Sequence, residues 1–198
     1  MKEMKVELTF IEDVLGTSPT DKEIYSTYIA SKGPNAQTRE EEIEALGEDE
    51  VVEKAMTVFP RMEDGTPMFW DYQIKGFFKN SCSALRKVTK TESSKIKAYK
   101  KEIDGLIFVN ERKIPIQCNG EVGVCQRPLR ASTAQGERIA LAISESVPAG
   151  SKIVFTITML HDAHMKAVIE WLDYGKLNGL GQWHNSGKGR FTWRCLEE

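Results

Sequence analysis

The sequence has no run of about 18 apolar residues, so none of its 198 residues belong to a segment built to cross a membrane as a helix. Its opening, Met1-Lys2-Glu3-Met4-Lys5, leads into an alternating pattern and not into the apolar stretch of a signal peptide, which predicts a soluble, cytoplasmic protein with no membrane partner. Metal-ligand spacing is missing as well. Cys82, Cys118, Cys125 and Cys195 include no Cys-x-x-Cys pair, and the three histidines add no cluster. Reduced cysteines in the core or on strands are expected, with no metal or other cofactor. No Gly-Lys-Ser/Thr occurs, which excludes a P-loop. Ser81, Ser83 and Ser132 have no histidine pattern around them of the kind a nucleophilic triad needs.

Net charge is nearly absent too, at −2, but its distribution is uneven. Residues 1–74 carry 7 Lys/Arg against 17 Asp/Glu, and residues 75–138 carry 14 against 6. The acidic first third offers a protein-facing surface. The basic middle third can supply phosphate contacts through counterion release, although taken alone it reads as a solvated helix face. The length fits one domain with a substantial core.

Lys5-Val6-Glu7-Leu8-Thr9-Phe10 alternates as a half-buried strand does, and a turn near Gly16-Thr17-Ser18-Pro19 ends it. Ile24, Tyr25, Tyr28 and Ile29 predict a short helix, and an acidic helical insertion is expected around 35–58. Residues 59–68 read as a loop or irregular hairpin. Ile74, Phe77, Phe78, Cys82 and Leu85 form one helical stripe that leaves Lys75, Lys79 and Arg86 off the apolar face. A basic insertion spans about 87–104, either more helix or a loop. Short strands follow at 106–109 and 113–116, then a loop over 120–128 that extends through Gln126-Arg127-Pro128-Leu129-Arg130 to Thr133. Strands at 138–145 and 153–160 around Pro148-Ala149-Gly150-Ser151 read as a hairpin. A helix over 163–174 and a strand over 190–195 complete an α+β sandwich of ferredoxin-like or RRM-like type.

Between that helix and that strand lies Gly179-Leu180-Gly181-Gln182-Trp183-His184-Asn185-Ser186-Gly187-Lys188-Gly189-Arg190. Two Gly-x-Gly units remove side chains so that backbone can approach closely, exposed amides can receive phosphate oxygens, and Lys188 and Arg190 add charge. A Rossmann loop follows a strand and opens a helix; this one does the reverse. Trp183 is a candidate base-stacking residue, whereas Phe191 and Trp193 read as core. Arg127 and Arg130 suit bidentate phosphate contact or pairing with the acidic third.

The glycine segment resembles the C-terminal glycine-rich loop of the RAMP superfamily of CRISPR effector proteins. Glu145 to Ser151 with its following strand resembles the hairpin before the final helix in the Cas-seven-like backbone subunit, and Ile74-Lys75-Gly76 resembles that family's Ile/Leu-Lys-Gly helix. The resemblance covers residues 74 to 191 in family order. It implies a non-catalytic backbone subunit that holds single-stranded guide RNA and associates with effector subunits or copies of itself. The implied RNA contacts are Lys75, Lys79, Arg86, Arg127, Arg130, Gly179, Gly181, Trp183, Gly187, Lys188, Gly189 and Arg190. Two other readings stand beside it: a solitary viral or mobile-element homologue acting as an anti-CRISPR decoy, and a RAMP-type endoribonuclease. For the last, Asp21 reads as a helix cap, and His161, His164 and His184 do not match the family's processing site.

Overall fold

The computed structural model describes residues 1–19, 56–133 and 136–197. In chain order the elements are β1 (Lys2–Phe10), β2 (Val14–Leu15), β3 (Ser18–Pro19), β4 (Thr57–Val58), β5 (Met68–Trp70), α1 (Asp71–Leu85), α2 (Tyr99–Leu106), β6 (Ile107–Val109) and β7 (Lys113–Pro115). They continue with β8 (Gly123–Thr133), β9 (Gly136–Val147), β10 (Lys152–Met159), α3 (His164–Tyr174) and β11 (Phe191–Glu197).

Alternation in β1 decides the main layer. Met4, Val6, Leu8 and Phe10 are buried on one face, and Lys5, Glu7 and Thr9 lie on the other. The sheet runs β11-β1-β10-β6, every neighbour antiparallel, with Val6 opposite Phe155 and Leu8 opposite Trp193. The paths β1-α1-β6 and β10-α3-β11 therefore each skip one strand, giving two split β-α-β units in an α+β fold. Helix α1 covers the sheet through Ile74, Phe77, Phe78 and Cys82, and α3 through Ala167, Val168, Trp171 and Leu172. The expected stripe on α1 is thus the buried one. Burial pushes the Cys82 thiol pKa up, as for a core cysteine.

The opposite face of this sheet is polar. Glu7 accepts from Lys152 at 3.3 Å and pairs with Arg194 at 2.9 Å; the Thr158 hydroxyl lies within hydrogen-bond distance of the Glu3 and Asn110 side-chain oxygens, and Thr156 donates to Glu111. Among the described residues, Phe108 is the one aromatic there, so the sheet surface is not a base-stacking platform. Hydrogen bonding and charge from Arg194, then Lys152, hold the Glu7 carboxyl below its ordinary range. A carboxyl depressed on folding stabilises the protein above its unfolded pKa and loses that contribution as pH falls. Glu7→Gln is therefore expected to flatten the acid limb of a melting-temperature-versus-pH profile; a parallel downward shift at every pH would contradict this.

A second sheet runs β2-β9-β4-β3, with β8 along the other edge of β9. Three expectations change here. Residues 123–133 form a strand, not a loop: Arg127 opposes Ala142, and Pro128 opposes Leu141. Pro128 is tolerated because, among the described residues, β8 pairs with β9 alone, which makes it an edge strand. The strands at 136–147 and 152–159 both exist but do not pair with each other. β9 is flanked by β8 and β2, while β10 is flanked by β1 and β6, so the turn between them carries the chain from one sheet to the other. Gly150 fixes that crossing by donating its N–H to Phe10 at 2.7 Å. Finally, Thr57–Val58, the end of the expected acidic helical insertion, is strand β4; the helix expected over 24–29, Asp21 and residues 35–55 of that insertion lie outside the described residues.

The basic 87–104 stretch resolves into a turn, a single 3-10 turn at Ser93–Lys95, and the start of α2. Ser93 anchors it: the Glu170 carboxylate accepts the Glu92 and Ser93 N–H groups and the Ser93 hydroxyl, which in turn accepts the Trp171 indole N–H at 2.9 Å.

Candidate nucleic-acid interface

The glycine loop is shaped by the protein it packs against. A Cβ on Gly179 would lie 2.1 Å from the Gly189 carbonyl carbon, and one on Gly189 would lie 1.8 Å from the Leu180 oxygen, because these two backbone stretches pair through a Leu180 N–H to Gly189 hydrogen bond of 2.9 Å. Gly181, at φ +82, lies against the Leu15 carbonyl, and Gly187, at φ +87, closes the turn His184–Ser186. Gly189 also donates to Asp13. The amides of Leu180, Gln182, Gly187, Lys188 and Gly189 all donate within the protein. The side-chain cations are engaged as well: Lys188 pairs with Asp13 at 3.1 Å and Arg190 with Glu12 at 2.8 Å. Gly175, where α3 ends, is required for a related reason, since a Cβ there would lie 2.3 Å from the Phe191 ring.

Docking the loop on β2 brings Trp183 against the hairpin. Its indole lies under the Arg127 guanidinium of β8, and Trp183 holds a left-handed backbone, φ 59, that a bulky residue rarely adopts. Arg127 is 6% exposed, and none of its three guanidinium nitrogens has a hydrogen-bond partner. Burial pulls its pKa down to about 10. Beside Trp183, Gln182 joins a cluster with Thr57 and Ser144, whose hydroxyls lie 2.8 Å apart. Glu145, on the alternate face of β9, is committed to Arg61 and to the Phe59 N–H. Arg130 sits on β8 opposite Ile139.

The other expected cations go elsewhere. Lys75 donates to the Asp104 carbonyl at 3.2 Å and covers the Phe108 ring, Lys79 pairs with Asp104 at 2.6 Å, and Arg86 lies over Tyr99. All three hold α2 against α1. Desolvation lowers the Lys75 pKa. A different stripe of α1 meets the glycine loop: Asn80, Ser83 and Ala84, with Lys87 in the turn just past the helix, line a shallow cleft of about 310 Å³ with Asn178, His184 and Asn185. Sequence reasoning missed Lys87 and Asn80, although their spacing of 80, 83, 84 and 87 is itself a helical stripe. Phe191 is fully buried, and Trp193 packs at the core edge and donates to Asp173.

His164 faces Glu102 at 3.2 Å, and His184 meets the Gly181 carbonyl at 3.1 Å. Among the described residues, their partners are the Glu102 carboxylate and the Gly181 carbonyl, not a nucleophile. What these residues offer together is hydrogen-bond donors, positive charge and one aromatic face along a loop, a hairpin foot and a helix, which suits binding of a polyanion with flat bases.

The α+β fold is similar to that of chains in two CRISPR complexes. It is similar to a chain of the type III-B Cmr-beta complex bound to cognate target RNA, at 14% identity and TM-score 0.55 over 98% of this chain and 59% of that one. It is also similar to a chain of a type IV-B CRISPR complex, at 10% identity and TM-score 0.50 over 98% of this chain and 90% of that one. This chain thus spans less than two thirds of the type III-B subunit's length. No family model matches the chain, and no curated protein matches it.

Proposed function

We propose that this protein is a non-catalytic, RNA-binding backbone subunit of a CRISPR effector ribonucleoprotein, a single ferredoxin-like or RRM-like domain that holds single-stranded guide RNA by its phosphates. The observation that carries this reading is the meeting of the glycine loop, the foot of the β8–β9 hairpin, and the Asn80–Ala84 stripe of α1 with Lys87 in the turn after it. The likeness in fold to chains of two CRISPR complexes supports it. RNA would run past Arg127, Trp183 and Lys87, while Lys75, Lys79, Arg86, Lys188 and Arg190 hold the protein surfaces that shape the path. Neighbouring effector subunits or further copies would lie alongside it, in the cytoplasm.

A second reading is favoured by one specific observation. Glu12 and Asp13 neutralise the two cations of the glycine loop from within the chain, as suits a solitary viral or mobile-element homologue that replaces a genuine subunit without loading RNA.

The deciding experiment purifies the protein across a salt series and records nucleic-acid absorbance and oligomer mass. Retained RNA that is released as salt rises, and is not shortened, supports the backbone reading. In that case Lys87→Ala is expected to weaken retention about equally for all sequences and to lower the salt slope by about one. RNA-free monomer at every salt concentration overturns the backbone reading in favour of the decoy.

A further inference from the structure

We infer that Arg127 and Trp183 form a covered notch for one internucleotide phosphate of single-stranded RNA, with Arg127 as the phosphate ligand and Trp183 as the cover that turns out to stack the adjoining base. The inference rests on the RNA-binding reading and adds the recognised group and the residue that gates it.

Two independent observations lead there. The first is Arg127 itself. A guanidinium presents five donors in a planar fork, and burying it without acceptors is strongly unfavourable. Here Nε, Nη1 and Nη2 are all enclosed and all unpartnered. Its pKa of about 10 leaves it charged at neutral pH, so the missing element is an anion and not a lost proton. No carboxylate of the described residues pairs with it; across β9, Ala142 and Ser144 occupy its face, and Glu145 points to the other. With Trp183 against the guanidinium and none of its nitrogens engaged, the fork keeps the capacity to grip a phosphate with two parallel hydrogen bonds.

The second is the cover. Trp183 is a non-glycine residue in the left-handed region, flanked by Gly181 and Gly187, both also at positive φ. Strain of this kind gathers at ligand clamps, and the two glycines give the intervening segment backbone freedom to release it. Trp183 is only partly buried, so its outward swing opens the guanidinium toward solvent on the loop side, next to the hydroxyls of Thr57 and Ser144 and the Gln182 amide. Neutral donors beside one unpaired cation fit a single phosphodiester, and an indole beside it fits the flat face of a base. An acidic protein segment would bring the carboxylate but no partner for the indole.

Fluorescein-labelled oligouridylate is titrated against the wild type, Arg127→Ala, Arg127→Lys, Arg127→Met and Trp183→Phe, with tryptophan emission recorded in parallel. Arg127→Ala is expected to weaken binding by about tenfold to a hundredfold and to lower the salt slope by about one. Arg127→Lys keeps the slope but recovers only part of the affinity, because lysine lacks the fork. RNA changes the wild-type tryptophan emission, and Trp183→Phe abolishes that change. Arg127→Met melts no lower than the wild type, since it removes a buried charge that none of the described residues pairs. Wild-type RNA binding that survives Arg127→Ala undiminished overturns the notch and leaves the function standing; a wild type that binds no RNA overturns both. A lower melting temperature for Arg127→Met makes the guanidinium a structural group, and an oligoglutamate peptide that changes Trp183 emission better than RNA makes the ligand a protein carboxylate. Either result defeats the proposal.

Discussion

Gly189→Ala lowers the melting temperature by roughly 10 °C, whereas Gly65→Ala lowers it by only about 3 °C. Both glycines have positive φ, +67 and +86, so both substitutions carry the left-handed penalty of about 1–2 kcal/mol. Their surroundings separate them. A Cβ at Gly65 meets nothing within 4 Å, in an exposed turn. At Gly189 it would lie 1.8 Å from the Leu180 oxygen, closer than any packing adjustment of a flexible side chain can relieve, because the obstacle is backbone. The Leu180–Gly189 pair must part, and the Gly189 N–H to Asp13 bond goes with it. Two backbone bonds at about 1 kcal/mol each, added to the conformational penalty, bring the loss to about 3–4 kcal/mol. Because the same loop carries Trp183, the alanine variant also releases the indole from Arg127. Differential scanning fluorimetry reads the melting shift and tryptophan emission the release; equal melting shifts for the two variants would show that close backbone approach is not why the second Gly-x-Gly unit exists.

That contrast marks how far the sequence was legible. The spacing of the two Gly-x-Gly units foretold a close backbone approach, and the structure has one, but the approaching group is the protein's own chain: Leu15 and Asp13 from β2 and its flank, and Leu180 from the loop itself. Nothing in a linear sequence distinguishes a glycine cleared for a ligand from one cleared for a neighbouring strand. Periodicity located β1, α1, α3, β10 and β11 because each buries one face of a regular element. It could not report pairing, which is why β9 and β10 looked like a hairpin although they belong to different sheets. β8 reads as a loop in sequence because Gly123 and Pro128 are residues that normally break strands, and an edge position removes that objection. Lys75, Lys79 and Arg86 were correctly placed off the apolar stripe of α1, but the packing of α2 on that side depends on a Ser93 anchor without periodic signature. The joining of Arg127 to Trp183 lies beyond pattern reading altogether: 56 positions separate them, and only the docking of the loop on β2 brings them together.

Trp171→Ala has the other large expected effect, a loss of about 3–5 kcal/mol and a melting temperature roughly 10 °C lower. Trp171 of α3 is fully buried against α1, its ring 5.6 Å from Phe78, so truncation removes a large apolar side chain and leaves a void in a close-packed core. It also removes the indole N–H from the Ser93 hydroxyl. Trp171→Phe separates the two contributions: it keeps most of the apolar volume and loses the donor, for about 1–2 kcal/mol. The consequences reach past the core. Ser93 and Glu170 fix the turn that leads into α2, and α2 holds Lys75 and Lys79 through Asp104. Amide exchange at Glu92 and Ser93 should therefore accelerate in both variants, more in the alanine one, while exchange in β1 and β10 follows global stability alone. Unchanged exchange at Ser93 in Trp171→Phe would mean that Glu170 holds the turn unaided. The indole would then matter only as volume, and α2 would keep its grip on Lys75 and Lys79 whatever stands at position 171.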